Sequence, residues 1–329
     1  MKRLSWTLSA FTGLVSIGLI GNSVASAQTL LDGNAKFQML TTTFSVTNGD
    51  TFFYTDGTTT DWQYKYCWYY RTENNNQNSL FSKLDTPSVF TQNNKSRITY
   101  TNAGPGVAGN ERFNTEFLIT LRDGPVANQA RVYTRVRFTA SSANAAARTF
   151  NIFHLCDMDM PGGSPNASTD DRQTWAGNTG TFSETSSLNK GTVASDGSEF
   201  LHDVATGLGL RNLLSSGANN LSNNSLQVNG DGAFGYQWQW TLAPGESQQV
   251  RVGQAINTLA YTTDPCSADL NRDNAVDDSD FVSFAMAYDA LLCPALPAFC
   301  DADLNDDDQV DDADFVIFAT QYDTLVCPW

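Results

Sequence analysis

The sequence predicts a mostly β chain: an N-terminal β-sandwich or jelly roll, then a small α domain of two loop–helix repeats. Three observations carry this. From Gln28 to about Thr263, short runs rich in Thr, Val, Phe, Tyr and Trp are separated by Gly, Asn, Asp and Pro, the pattern of strands and their turns. That stretch lacks long helical periodicity, apart from a short piece at Leu208–Leu214. From Cys266 onward the sequence repeats itself with a period of 34 residues, as one supersecondary unit used twice does.

Taken in order, the chain opens with Lys2 and Arg3, an apolar run from Leu4 to Ile20, and the small residues Val24-Ala25-Ser26-Ala27. Residues 1–27 therefore read as a secretory signal cleaved before Gln28. The apolar run is short for a bilayer span, and no other stretch reaches that length. The mature chain is expected to be secreted or held at a cell surface, with no membrane span after signal removal. A β domain over 28–263 and a tail over 264–329 follow.

Strands are expected at Phe37–Thr47, Thr51–Tyr54, Trp62–Tyr70, Arg97–Tyr100, Phe113–Leu121, Arg131–Ala140 and Thr149–Leu155. After a Ser-, Thr-, Asn- and Gly-rich middle, expected to be loops, come Leu226–Val228, Ala233–Leu242 and Gln248–Ala255. Many short strands in one domain point to a sandwich or jelly roll. In two runs the aromatics share the period-two face of a strand: Trp62, Tyr64, Tyr66, Trp68, Tyr70, and Phe234, Tyr236, Trp238, Trp240 with Leu242. Such faces suit a core. The alternative is a platform for stacking sugar rings, which the Tyr hydroxyls keep open. Asp157 and Asp159, ahead of Gly162-Gly163, read as a turn rather than as ion ligands, and Asp170-Asp171 and His202-Asp203 are no more specific.

Formal charge is −16 overall. The tail from Cys266 holds fifteen Asp, no Glu and one basic residue, Arg272. No basic footprint for nucleic acid exists, so DNA and RNA are not expected partners. Six cysteines in an exported chain predict disulfides. Equal spacing of 27 predicts Cys266–Cys293 and Cys300–Cys327, one bridge around each repeat, leaving Cys67 with Cys156.

Within each repeat an Asp-x-Asn-x-Asp run opens a twelve-residue loop. The first offers Asp269, Asn271, Asp273, Ala275, Asp277 and Asp280 at positions 1, 3, 5, 7, 9 and 12; the second offers Asp303, Asn305, Asp307, Gln309, Asp311 and Asp314. Calcium takes six to eight oxygens from such positions, with a backbone carbonyl at position 7, so Ala275 and Gln309 are free to differ. Val276 and Val310 follow as apolar positions. Phe281, Phe284, Ala285 and Tyr288, then Phe315, Phe318, Ala319 and Tyr322, carry helical spacing after each loop.

No helix is expected ahead of either loop. Loop then helix, twice, with Asp at position 12, resembles a dockerin rather than a full EF-hand. The resemblance spans Cys266 to Trp329. It implies two bound Ca²⁺ ions and a cohesin-like or cell-surface protein as partner, with Phe281, Phe284, Phe315 and Phe318 in the core. The chain departs from the family at position 6, where Asn274 and Asp308 replace Gly, and in mid-helix, where Ala285-Met286 and Ala319-Thr320 replace a basic pair.

The resemblance also implies polysaccharide work nearby, yet the body offers no glycosidase motif. Its glutamates are few, and Glu111 and Glu116, five apart, fall on opposite strand faces. The first expectation is thus a non-enzymatic binding or structural β-sandwich carrying a calcium-binding attachment tail. The alternative is a carbohydrate-active enzyme, a glycoside hydrolase acting on polysaccharide.

Overall fold

The computed structural model describes residues 28–39, 51–57, 60–73, 78–81, 84, 87–104, 111–160, 171–184, 188–290, 293–294, 298–324 and 327–329. The expected signal, 1–27, and the later part of the strand expected over Phe37–Thr47 lie outside the described residues.

Among the described residues, seventeen strands and three helices follow in chain order. The first strands are β1 (Gln28–Asp32), β2 (Ala35–Met39), β3 (Thr51–Tyr54), β4 (Lys65–Thr72), β5 (Ser79–Leu80) and β6 (Ser88–Gln92). Next come β7 (Lys95–Ala103), β8 (Phe113–Asp123), β9 (Ala130–Ala140), β10 (Arg148–Asp157), β11 (Asp171–Ala176), β12 (Thr179–Glu184) and β13 (Lys190–Ser195). The body ends with β14 (Leu201–Thr206), α1 (Gly207–Ser215), β15 (Val228–Asn229), β16 (Gly232–Leu242) and β17 (Ser247–Ile256). The tail contributes α2 (Asp278–Ala290) and α3 (Asp312–Thr324).

The body is a sandwich of a five-stranded sheet, β14-β16-β10-β4-β5, on a nine-stranded sheet, β15-β11-β12-β13-β17-β9-β8-β7-β6, with β1-β2-β3 as a third, smaller sheet. The largest core cluster draws on all three sheets. A second cluster covers the other face of the five-stranded sheet beneath α1, and a third lies wholly in the tail.

Both aromatic faces are core. Trp62, Tyr66, Trp68, Tyr70, Phe234, Tyr236 and Trp238 are buried, and Tyr64 and Trp240 half-buried. The hydroxyls that would have favoured a surface platform find partners inside: Tyr66 Oη pairs with Thr134 Oγ1 at 2.5 Å, and Tyr236 donates to the Val193 carbonyl at 3.0 Å. His154, paired in register with Trp68 and Tyr236, stacks on Trp68 at 4.4 Å between centroids.

Two expectations fail here. The Ser/Thr/Gly-rich middle is not merely loops: it builds β11, β12 and β13, which extend the nine-stranded sheet. Small residues are required there because a Cβ at Gly180 would lie 2.7 Å from the Phe234 ring, so the close approach of two sheets replaces the apolar alternation that marks other strands. The cysteine pairing also differs. Cys266 joins Cys327 and Cys293 joins Cys300, with Cα–Cα distances of 5.3 and 5.2 Å. Cys67 and Cys156 are buried and are not joined in a disulfide. Cys67 is opposite Leu155 and Cys156 opposite Tyr66, so alternation sends the two sulfurs to opposite faces of the sheet.

Candidate metal centre

Asp at the first position of α2 and α3 and a second Asp two residues on place acid where the helix N-terminus favours it. The repeats are related by a pseudo-two-fold axis. Phe284 stacks on Phe318 at 4.7 Å, while Phe281–Tyr322 and Tyr288–Phe315 are reciprocal contacts at 6.4 and 6.0 Å. That rotation exchanges the two disulfides, so each bridge joins one repeat to the other; equal spacing within a repeat could not reveal this. Phe284, Phe318, Val276 and Val310 are buried as expected, but Phe281 and Phe315 are each 45% exposed. They lie at the outer edge of the helix pair instead of its centre.

Both loops close on the same hydrogen bonds. Asp269 accepts from the Asp273 and Asn274 N–H groups, each at 3.1 Å, and Asp303 from those of Asp307 and Asp308 at 2.9 and 2.8 Å. At position 12, Asp280 Oδ1 accepts from Leu270 and Asn271 N–H and its Oδ2 from Asp277 N–H at 3.0 Å; Asp314 repeats this with Leu304, Asn305 and Asp311. Asn271, Asn305, Asp273, Asp307, Asp277 and Asp311 each accept from the N–H two residues later. The backbone turns through positive φ at Asn274 (69°) and Asp308 (72°), where Asn and Asp stand in for Gly. It does so again at Arg272 (65°) and Asp306 (61°), which sequence reasoning did not anticipate.

In the first loop, carboxylate oxygens of Asp269, Asp273 and Asp280 all lie within 4.8 Å of one another. Asp280 and Asp314 are fully buried. Burial raises the Asp269 carboxyl, with Arg122 opposing, and raises that of Asp303 to about 6, helped by Asp306. The exposed Asp277 is lowered by the Ser279 hydroxyl and N–H. The available donors are all oxygen, because the nearby sulfurs of Cys266 and Cys327 are tied in a disulfide. Such a set fits a hard cation such as Ca²⁺ and not a soft one. Ala275 and Gln309 occupy position 7, where only the carbonyl would serve.

Among the described residues, the acids of the body form no comparable constellation. Glu116 is held by Arg97 at 3.3 Å and by Arg135, while Glu111 is buried and accepts from the Thr72 hydroxyl at 2.6 Å. They do not face each other across a cleft. Asp157 is not in a turn: it ends β10 and is buried, and its carboxyl is raised by burial and by Asp231 and Asp159. Asp203 accepts from Ser222 and Asn224, a loop-bracing role. His202 stacks on the half-buried Trp175 at 4.3 Å with planes 6° apart. Gly162, Gly163 and Asp170 lie outside the described residues.

The residues that sequence reasoning missed are the arginines facing the tail. Arg131, Arg135 and Arg137 alternate on β9 with the core residues Val132, Val136 and Phe138. That period-two run of cations in a body poor in charge was a readable signal.

No protein-family profile matches the sequence, and no curated protein does. Among solved structures, the chain is similar to a candidate aldose 1-epimerase of Escherichia coli K12, with a TM-score of 0.42 and 9% identity over 71% of this chain and 99% of that one. A galactose mutarotase-related enzyme of Lactobacillus acidophilus scores 0.42 at 8% identity, covering 72% of this chain and 98% of that one. A bacterial glucoamylase complexed with acarbose also scores 0.42, at 7% identity over 71% of this chain, which spans only 32% of the glucoamylase. Likeness at this level transfers no activity to the present chain.

Proposed function

We propose that the tail, residues 264–329, is a dockerin-like module that binds two Ca²⁺ ions, one per loop, and that the β body it carries is an exported binding or structural module. One observation carries this reading: the converging carboxylates of Asp269, Asp273 and Asp280, on a loop whose hydrogen bonds recur in the second repeat. Like charges held so close oppose the compact state unless a cation joins them. Bound calcium supplies that charge; Asp280 and Asp314 each brace their loop by taking N–H groups from its two ends. The partner implied by the family is a cohesin-like or cell-surface protein, and the exposed Phe281, Val282 and Met286 of α2 and Phe315 and Val316 of α3 form the face it would meet. Calorimetry and circular dichroism of the mature chain in EGTA and then in calcium test the reading. Two binding events with a gain of order in the tail are expected, whereas absent binding heat with unchanged helicity and thermal stability would overturn it.

The alternative is a carbohydrate-active body, and one observation favours it. The Trp175–His202 stack is nearly coplanar, Phe200, two residues before His202, is 52% exposed, and aromatic faces suit sugar rings. Polysaccharides are therefore the ligands to try first. Retention without release of reducing ends would mark a binding module; release would mark an enzyme.

A further inference from the structure

We propose that the outer face of the nine-stranded sheet is the tail's own docking partner, and that two loop residues which are not calcium positions select how the tail sits on it. Dockerin-like repeats related by a two-fold axis present two nearly equal faces, so a partner must break the tie. The two loops of this chain differ in charge at positions 4 and 6: Arg272 and Asn274 in the first, Asp306 and Asp308 in the second. Neither position is a ligand position.

The body matches that difference. Asp308 pairs with Arg137 at 3.0 Å and with Arg97 at 3.4 Å, and Asp306 pairs with Arg251 at 3.0 Å. Guanidinium groups also take the loop's outward carbonyls: Arg137 donates to Asp306 O at 3.0 Å, Arg251 to Asn305 O at 3.1 Å, and Arg135 to Asp306 O. The first loop meets a different surface, with Arg272 3.7 Å from Asp32. Beside it, Arg122 binds Asp264 at 2.7 Å and the Cys266 carbonyl at 2.8 Å. Turning the tail by half a turn would set Arg272 among Arg137 and Arg251, a like-charge clash that rejects the wrong orientation. Several ion pairs, partly desolvated and joined through shared arginines, act as a network and not as isolated surface bridges.

The pairs made by Asp306 and Asp308 use no calcium position, whereas in the first loop Arg122 also lies 3.6 Å from Asp269, a proposed ligand. The docking leaves the helix face bearing Phe281 and Phe315 outward, while the loops are engaged in cis.

The test uses the mature full-length chain, small-angle scattering for compactness and limited proteolysis of the 257–264 connector for release of the tail. Asp306→Asn with Asp308→Asn should retain the circular dichroism of wild type yet expose the connector, raising its cleavage rate about tenfold as local opening becomes more populated. Exchanging one pair, Arg251→Asp with Asp306→Arg, should restore protection relative to either single change. Wild-type protection and scattering in the double Asn variant would overturn the proposal, as would a wild-type chain whose scattering requires a detached tail. Protection in a chain that shows no calcium heat would support docking while removing the calcium reading, so the two are separable.

Discussion

The Tyr322 hydroxyl, near the end of α3, donates to Asp278 Oδ1 at the start of α2 over 2.5 Å. Tyr288 reaches Asp312 in the same way from the other helix. Each phenol is thus tied to the residue two before position 12 of the opposite loop, so the loops are coupled through side chains as well as through the Phe284–Phe318 stack. Tyr322→Phe is expected to weaken ion binding in the first loop and Tyr288→Phe in the second, each by roughly two- to ten-fold. Titration calorimetry of each variant, with the intact loop as internal reference, would settle this; an unchanged pair of affinities would show that the hydroxyl contacts are idle.

The connector between body and tail crosses β17 where no side chain fits. A Cβ at Gly253 would overlap the Tyr261 carbonyl oxygen. Nearby, the Arg131 guanidinium lies 4.6 Å from the centroids of both Tyr261 and Trp329 and donates to the Pro328 carbonyl at 2.8 Å. Gly253→Val should push the connector off the sheet at a cost of about 1–3 kcal/mol. Trp329→Ala removes one face of the cation sandwich, at a cost of about 1 kcal/mol. Denaturant unfolding measures both, and equal stability in the two variants and wild type would contradict the clamp.

Strand identity was legible wherever one face is apolar: Thr51–Tyr54 is β3 as read, and Arg131–Ala140 differs from β9 by one residue. The loop positions were legible for another reason, since a motif repeated at a fixed period carries its own control. What the sequence hid was set by symmetry and by contact between distant segments. Equal cysteine spacing describes a translation, whereas the repeats are related by a rotation, so Cys266 meets Cys327. Strands β12 and β13 hid because Gly180 and Gly191 give up side chains to let Phe234, Met158 and Met160 pack close. The burial of Asp157 beneath α1 depends on Asp231 and Gly207, far along the chain.

Asp157 offers a test of that burial. Burial, then Asp231 and Asp159, raise its carboxyl well above the usual range, with Lys65 and Arg211 opposing. A carboxyl raised in the folded state binds its proton more tightly there than in the unfolded chain. Its contribution is therefore fully present below the unfolded value near 3.8 and is lost as pH rises toward the folded one. Asp157→Asn mimics the protonated form, so it should raise the unfolding midpoint at pH 7 and bring no gain near pH 3.5, a value just below the ordinary Asp range of about 3.9. A variant less stable than wild type at pH 7 would mean that the ionised carboxylate is what the fold uses.

His154 should behave with the opposite slope. It is fully buried against Trp68 and Tyr66, and burial pushes its imidazole down to about 3, with the Cys67 backbone opposing. The ring is therefore neutral in the folded protein down to about pH 3. The unfolded chain takes up a proton near pH 6.5, so stability is unaffected above that value and falls as pH drops from 6.5 toward 3. The loss approaches about 1.4 kcal/mol per pH unit for one proton and levels off below the folded value. His154→Phe keeps an aromatic ring in the stack and removes the proton site. Its stability relative to wild type should stay constant between pH 8 and pH 7, a range above the ordinary His value of about 6.5, and grow steadily below it. Carboxylates such as Asp157 also titrate in the acid range, but they are common to both proteins and cancel in the difference. Denaturant melts of the two proteins at stepped pH give that difference directly. A flat difference down to pH 4, or an imidazole NMR signal titrating near its ordinary position, would show that His154 is reached by water and does not sit sealed between the sheets.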